Sequence, residues 1–155
     1  MKKIILIIFL LTSLNNCGFK IVERKTLEGY FISEIDTSGE GRINYRIKSL
    51  LDTKSTANSD KKLKVILNTS KEKKVKEKNI NNEITKYHMN ITTKVNYEDI
   101  FKKMSGDFII NVSGEYKVLE KHIQTINNEK KLQKNLANEI ADRILKELSD
   151  KLNDL

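Results

Sequence analysis

Two long runs of alternating residues between Ile84 and Val118 constrain the fold of this chain more than any other feature. One side of the first run comprises Tyr87, Met89, Ile91, Thr93, Val95 and Tyr97. The same side of the second run comprises Phe108, Ile110, Val112, Gly114, Tyr116 and Val118. The intervening residues are mostly polar, and a period of two predicts a hairpin with one buried face and one polar face. At about 3.3 Å per residue each strand extends roughly 35–45 Å, longer than usual.

The connection between these two strands, Glu98 to Asp107, is predicted to be the hairpin turn. It contains Lys102 and Lys103, and Gly106-Asp107 provides residue types that favour turns. No arrangement of nucleophile, base or paired carboxylates is evident along the hairpin. The pattern therefore favours a protein that binds something over one that catalyses a reaction.

Two further extended segments precede the hairpin, and Gly18 to Val22 is a candidate for another. Gly29 to Thr37 alternates less regularly, with Phe31, Ser33 and Ile35 on one side. Lys61 to Ser70 alternates clearly, with Leu63, Val65, Leu67 and Thr69 on one face. The charged run 71–78 that follows is either a solvated hairpin tip or a basic loop that contacts an anion.

Two segments have the periodicity of amphipathic helices. In residues 42–54, Ile43, Ile47, Leu50 and Leu51 share one face, and Thr37 or Ser38 is a candidate N-cap after a predicted turn over 36–41. From Glu129 to Leu152, apolar residues recur every four positions, and Asn127 or Asn128 is a candidate N-cap. The predicted fold is α/β of the α+β type: a two-layer sandwich in which two helices cover one face of a mixed sheet of about four strands.

The N-terminus has the pattern of a secretory signal peptide over residues 1–16, with a single domain over 17–155. Lys2 and Lys3 precede the apolar run Ile4–Leu11, which is too short to span a bilayer as a helix. The only cysteine, Cys17, directly follows the signal and resembles the lipidated cysteine of bacterial lipoproteins. An intrachain disulfide is excluded because there is no second cysteine. The alternative to lipidation is a free thiol after an ordinary signal peptide.

The chain is basic, with 29 Lys and Arg against 21 Asp and Glu and a formal charge of +8. The lysines are either a surface that attracts anionic partners or a reflection of the codon usage of an AT-rich genome. A nucleic-acid binder is disfavoured, because the basic run lacks interleaved aromatic residues. His88 and His122 are interpreted as surface histidines rather than metal ligands, so no metal and no cofactor is predicted.

The order strand, helix, three strands, helix after a cysteine resembles the LPS-assembly lipoprotein family (LptE/RlpB-like). The features that carry this resemblance are Cys17-Gly18-Phe19, the glycine-containing turn before the first helix, the alternating hairpin, and the helix Gln133–Leu148 with Arg143. The resemblance covers residues 17–155 in architecture more than in sequence motif. The chain departs from the family in its weak signal-cleavage motif, Asn15-Asn16, and in its lack of proline.

The resemblance implies an outer-membrane lipoprotein on the periplasmic side, anchored through acyl chains, including palmitate, on Cys17. It implies that the protein scaffolds and plugs the β-barrel that transports lipopolysaccharide, and that it contacts lipopolysaccharide without being an enzyme. Candidate contacts to the glycolipid phosphates are Lys73, Lys74, Lys76, Lys78 and Lys94. The alternative is an accessory periplasmic lipoprotein of another envelope transport complex.

Overall fold

The computed structural model describes residue 27 and residues 29–55 and 59–153. Four strands and two helices follow in the order β1 (Phe31–Gly39), α1 (Gly41–Lys54), β2 (Lys62–Lys78), β3 (Ile84–Asp99), β4 (Met104–Lys117) and α2 (His122–Asn153). The sheet order is β1-β2-β3-β4. Strands β1 and β2 are parallel, whereas the β2–β3 and β3–β4 pairs are antiparallel. The predicted two-layer α+β architecture with a mixed four-stranded sheet is confirmed.

The helices cover one face of the sheet because that face carries the apolar half of each alternating strand. α1 packs against β1 and β2, α2 packs mainly against β4, and the two helices contact each other. The largest fully buried side chains come from both the sheet and the helices and include Leu63, Met89, Ile91, Ile47, Ile140 and Leu148. The predicted faces of the hairpin and of both helices are therefore confirmed, and removal of this apolar surface from water is the main stabilising contribution.

The irregular alternation of β1 has a structural cause. The pairing of β1 with β2 shifts between Ile32 and Glu34, which is the signature of a β-bulge. Because of the extra residue, Ile32 and Ile35 both point into the core, although the sequence pattern places them on opposite faces. The strand then continues to Gly39, and Glu40 directly precedes α1. The predicted turn over 36–41 is therefore wrong.

Neither helix begins with a predicted side-chain cap. Glu40 occupies the N-cap position of α1 without a side-chain hydrogen bond, and the Ser38 hydroxyl donates to the Leu67 carbonyl oxygen instead (3.4 Å). The second helix begins at His122, seven residues before the predicted start, so Asn127 and Asn128 lie inside it. Its first turns are mostly exposed and lack the apolar stripe by which the sequence pattern locates a helix.

The charged run 71–78 is neither a tip nor a loop but the second half of β2, paired along its length with β3. The turn between β2 and β3 lies at 79–83, where the Asn79 side chain accepts hydrogen bonds from the backbone N–H of Asn81 (3.0 Å) and Glu83 (2.9 Å). We call the half of the β2–β3 hairpin next to this turn the distal end. Charged side chains disfavour pairing of this exposed strand edge with other chains.

The opposite, proximal end gathers the starts of β1 and β2, the β3–β4 turn and the end of α2. Phe31 N donates to Lys61 O (2.8 Å), Ile100 N donates to Lys62 O (3.0 Å), and the Lys102 ammonium donates to Leu152 O (3.0 Å). The β3–β4 turn comprises Ile100 to Lys103 and is shorter than predicted. Gly106 and Asp107 belong to β4; Gly106 lies under the ring of Tyr97, where a Cβ atom would fall 2.6 Å from the Tyr97 hydroxyl.

Candidate functional site

The two-layer fold leaves the face of the sheet opposite the helices, here called the outer face, uncovered. It is polar because the alternate residues of every strand are mostly Asn, Thr, Ser, Lys and carboxylates. Cross-strand neighbours bond to each other, as where the Thr92 hydroxyl donates to Asn111 Oδ1 (2.6 Å). Ile66 and Ile109 are its exposed large apolar residues. A face of this composition suits a hydrated protein partner better than lipid chains.

A shallow depression of about 380 Å³ lies on the outer face towards the proximal end. Its lining residues are Lys64, Ile66, Asn96, Tyr97, Glu98, Ser105, Gly106 and Asp107. The Lys64 ammonium lies 2.9 Å from Glu34 Oε2 and 3.5 Å from Asp36 Oδ2, and the hydrogen bond with Glu34 is the main cause that raises the pKa of Lys64. Because the depression is shallow and lined by both cationic and anionic side chains, it favours polar contacts with a partner surface over enclosure of a small molecule.

Among the five candidate lysines, Lys73 differs from the rest because it lies on the helix-facing side of β2. Its ammonium is 3.0 Å from Glu129 Oε2 of α2 and lies 4.3 Å from the ring centre of Tyr87. The neighbouring Tyr116 hydroxyl is the main cause that raises the pKa of Lys73, and Glu129 adds to it against the opposing effect of partial burial. Lys73 therefore has its own protein partners.

Three of the candidate lysines belong to the distal part of the hairpin and make polar contacts at the surface. Lys74 pairs with Glu72 (2.9 Å), Lys76 lies 3.5 Å from Glu115 Oε1, and Lys78 donates to Asn82 Oδ1 (2.8 Å). Exposed ion pairs of this kind contribute about 0–1 kcal/mol. They are therefore easily exchanged for a phosphate ligand.

Lys94 lies on β3 in the middle of the outer face, opposite Asn68 of β2 and Ile109 of β4. Its side chain is exposed, and within the described part of the chain it has no hydrogen-bond or ion-pair partner. An exposed, unpaired ammonium is free to bind an anion. The structure thus brings Lys74, Lys76 and Lys94 onto one face and separates Lys73 from them.

The remaining sequence predictions concern the N-terminus and the histidines. Residues 1–16, Cys17 and the candidate strand Gly18 to Val22 lie outside the described residues. His88 is on the outer face, 3.8 Å from Glu115 Oε1, and His122 is the first residue of α2. Across residues 29–55 and 59–153, His and carboxylate side chains do not gather into a group of three that would hold a metal ion. None of the described helices combines the length and apolarity needed to cross a bilayer.

Comparison with solved structures finds the same fold in bacterial lipoproteins. The crystal structure of rare lipoprotein B from Shewanella oneidensis aligns with a TM-score of 0.59 at 14% identity, covering 78% of this chain and 97% of that one. This chain has the fold of rare lipoprotein B. The sequence-based resemblance is thereby confirmed at the level of the fold. No family model matches the chain, and no curated protein matches it by sequence.

Two more solved structures share the rare lipoprotein B fold. A lipoprotein from Caulobacter crescentus aligns with a TM-score of 0.58 at 18% identity, covering 77% of this chain and 90% of that one. Lipoprotein B from Nitrosomonas europaea aligns with a TM-score of 0.51 at 12% identity, covering 88% and 96%. These identities are low, so the likeness establishes the fold and leaves the function to be argued from the surfaces of this chain.

Sequence reasoning missed two features of these surfaces. The first is the Lys73 cluster, which brings Glu129 of α2 against a lysine that is 56 residues away in the sequence. The second is the β3–β4 turn, where Ile100 and Phe101 are adjacent and exposed. Two neighbouring large apolar residues in a turn are a signal visible in the sequence, although Gly106-Asp107 suggests a turn further along the chain.

Proposed function

We propose that this protein is an LPS-assembly lipoprotein of the outer membrane, anchored on the periplasmic side through acylated Cys17. In this role it scaffolds and plugs the β-barrel that transports lipopolysaccharide, and it contacts the glycolipid on its way to the outer leaflet. The function is one of binding and not of catalysis. The shared fold of rare lipoprotein B and the lipoprotein pattern around Cys17 support the proposal.

The observation that carries the proposal is the polar outer face, which extends over the full length of the β2–β3 hairpin. Strand β2 has 17 residues and β3 has 16, so that the hairpin extends about 50–55 Å at about 3.3 Å per residue. The apolar band of a membrane barrel is about 25 Å tall, and its lumen is polar. A hairpin about twice as long as this band is long enough to cross such a lumen, and its exposed Thr, Asn and Lys side chains match the polar lining.

Contact with lipopolysaccharide is assigned to the cations of the outer face and the distal end. Lys94 is the strongest candidate because its ammonium is exposed and unpaired among the described residues. Lys74, Lys76 and Lys78 exchange weak surface contacts for phosphate contacts at little cost. Lys73 is the weakest of the five candidates, since binding a phosphate requires it to leave Glu129 and Tyr87.

The test is a pull-down of the tagged full-length chain in mild detergent, with a photo-crosslinking residue at Asn68 or Ile109 of the outer face. Tyr45, exposed on α1, is the comparison position. We expect a large outer-membrane barrel in near-equal amount, crosslinked from both outer-face positions. Recovery of inner-membrane proteins alone, or of an accessory periplasmic complex, would replace the proposal by the alternative of another envelope transport complex.

A further inference from the structure

The β3–β4 turn and the first residue of β4, together Ile100–Met104, expose three large apolar side chains at the proximal end. Phe101 is 62% exposed, Ile100 50% and Met104 37%, all outside the core that the helices cover. An apolar cluster held in water at a turn is unfavourable unless it serves a contact. None of the residues assigned to the barrel or to lipopolysaccharide belongs to this cluster.

The backbone of the turn is held in place by hydrogen bonds. The buried Asp99 accepts hydrogen bonds at Oδ1 from the backbone N–H of Phe101 (2.9 Å) and of Lys102 (3.0 Å). Ile100 N donates to the Lys62 carbonyl oxygen (3.0 Å), which fixes the turn to β2. The apolar side chains are thus presented outward by a defined conformation.

Basic residues surround the apolar cluster. Lys61, Lys62 and Lys103 are exposed at this end, and the Lys61 ammonium lies 5.4 Å from the ring centre of Tyr30. Asp60 and Glu98 are the exposed acidic residues next to these lysines in the chain. Asp150 is also exposed at the end of α2, where Lys102 and Lys151 add to the lysines and keep them in excess. Apolar and aromatic side chains flanked by lysines are typical of segments that lie in the interface of an anionic bilayer.

The first described residues, Leu27 and Gly29, lie at the same end. Leu27 N donates to Lys54 O (3.1 Å), and the Ser59 hydroxyl donates to Gly29 O (2.5 Å), both next to the start of β2. Nine residues lie between Cys17 and Leu27, and the ten Cα–Cα steps span at most about 35 Å. Acyl chains on Cys17 therefore hold Leu27, at the proximal end, within about 35 Å of the bilayer surface.

We propose that the Ile100–Met104 turn is a second membrane contact, which inserts Phe101 into the interface of the same bilayer that holds the N-terminus. The orientation rests on the proposed anchoring at Cys17. The acyl chains on Cys17 attach only the N-terminus, and a second contribution from the folded domain fixes its orientation on the bilayer. The turn supplies apolar area for this contribution, and Lys62 and Lys103 supply attraction to anionic lipid headgroups.

The absence of tryptophan from the chain allows a direct test. Phe101→Trp is introduced in the full-length chain, and Ile80→Trp, at the fully exposed tip of the distal end, is the matched control. Both proteins are reconstituted in vesicles of phosphatidylethanolamine and phosphatidylglycerol, with and without lipids brominated near the glycerol. We expect the emission of the Phe101→Trp protein to shift to the blue and to be quenched by the brominated lipids. The emission of the Ile80→Trp protein should stay red-shifted and unquenched.

Two results overturn the proposal. Unquenched, red-shifted emission from Phe101→Trp protein that floats with the vesicles shows that the turn stays in water. A blue shift without quenching shows that the turn is buried against protein instead of lipid. Failure of the proposed function is separate: it appears as a missing barrel in the pull-down, which does not alter the quenching of the introduced tryptophan. The acyl mass on Cys17 is verified in the same preparation, because the orientation of the turn depends on this anchor.

A charge variant tests the contribution of the lysines. Lys103→Glu in the Phe101→Trp background should weaken the quenching in anionic vesicles. Lys146→Glu, an equal charge change on the exposed side of α2, should leave it unchanged. Equal effects of the two variants would contradict a local role for Lys103.

Discussion

Lys73 and Glu129 join the distal part of the sheet to α2 through an ion pair whose Nζ–Oε2 distance is 3.0 Å. The Tyr116 hydroxyl donates to the same carboxylate oxygen (2.7 Å), and the rings of Tyr87 and Tyr116 stack 5.5 Å apart next to the ammonium. The pairing of β1 with β2 ends at Thr69, so this half of β2 has a neighbour on one side only. The cluster therefore holds a part of the hairpin that the remaining sheet supports weakly.

Lys73→Ala should lower the free energy of unfolding by about 1 kcal/mol, since it removes a partly exposed ion pair and a cation–π contact. Urea denaturation measures the change. Lys74→Ala is the matched control, because Lys74 is the next residue and pairs only with the exposed Glu72. Its effect should stay within about 0.5 kcal/mol. Equal losses in both variants would show that the cluster around Glu129 adds no stability.

The same cluster gives the protein a pH dependence in acid. Burial raises the pKa of Glu129, but hydrogen bonds from Tyr116 and Lys73 outweigh it and lower the pKa below the ordinary 4.5. A carboxylate whose folded-state pKa is lowered stabilises the protein above its unfolded-state pKa, and the contribution disappears as the pH falls through the folded-state value. Glu129→Gln should therefore cost about 1 kcal/mol at neutral pH, and the cost should decrease as the pH falls below the unfolded-state pKa and through the lower folded-state pKa.

The measurement is the unfolding free energy of wild type and Glu129→Gln between acidic and neutral pH. The difference between the two proteins removes the titration of the other carboxylates. A difference that is constant across this range, or that grows in acid, would contradict the lowered pKa of Glu129.

Gly39 is the glycine whose replacement should be most damaging. Its φ is +87°, and a Cβ atom there would fall 2.0 Å from the backbone oxygen of Thr69. Gly39→Ala should destabilise the protein by about 3 kcal/mol or more through both strain and backbone displacement. Gly41→Ala is the control, because nothing lies within 4 Å of its Cβ position in the first turn of α1. This change should stabilise the protein by about 0.5–1 kcal/mol, as measured by thermal or urea unfolding.

The sequence predicts those parts of the fold in which burial alternates with a regular period. The faces of β3 and β4 and the stripe of α1 follow directly from this alternation because each has one side in the core. In the second half of β2 the alternation ceases, since Lys73, Lys74 and Lys76 are exposed and pairing with β3 is made by backbone groups. The register shift at Ile32 is likewise hidden, because a bulge changes the face of every later side chain.

The candidate site was harder to predict than the fold. A run of lysines reveals charge but not which ammonium has a partner, and the partner of Lys73 is 56 residues away in α2. The Gly106-Asp107 pair suggests a turn, yet Gly106 pairs with Tyr97 within the sheet. A glycine suits this position because the Tyr97 ring occupies the space that a side chain would need. Contacts between different strands and helices thus determine the partner of Lys73 and the position of Gly106.

Thr69 and Thr93 form a buried hydrogen bond between their hydroxyls across β2 and β3 (3.0 Å). Thr69→Val or Thr93→Val alone leaves a buried hydroxyl without this partner and should cost about 1–3 kcal/mol. The double variant removes both hydroxyls and should be less destabilised than the sum of the single variants. Urea denaturation of the four proteins gives the coupling energy, and simple additivity would show that the two hydroxyls do not depend on each other.

Replacement of Lys94 tests the proposed contact with lipopolysaccharide. A lysine near an anionic lipid surface contributes about 1 kcal/mol, which corresponds to roughly fivefold in affinity. Lys94→Ala should therefore weaken binding of purified lipopolysaccharide to the full-length chain about fivefold, and the loss should shrink at high salt because exposed charges are screened. The fold should be unaffected, since Lys94 is exposed and has no polar partner among the described residues. Lys146→Ala on α2 is the control of equal charge. An equal loss in the two variants would show that net charge, and not the outer face, determines the binding.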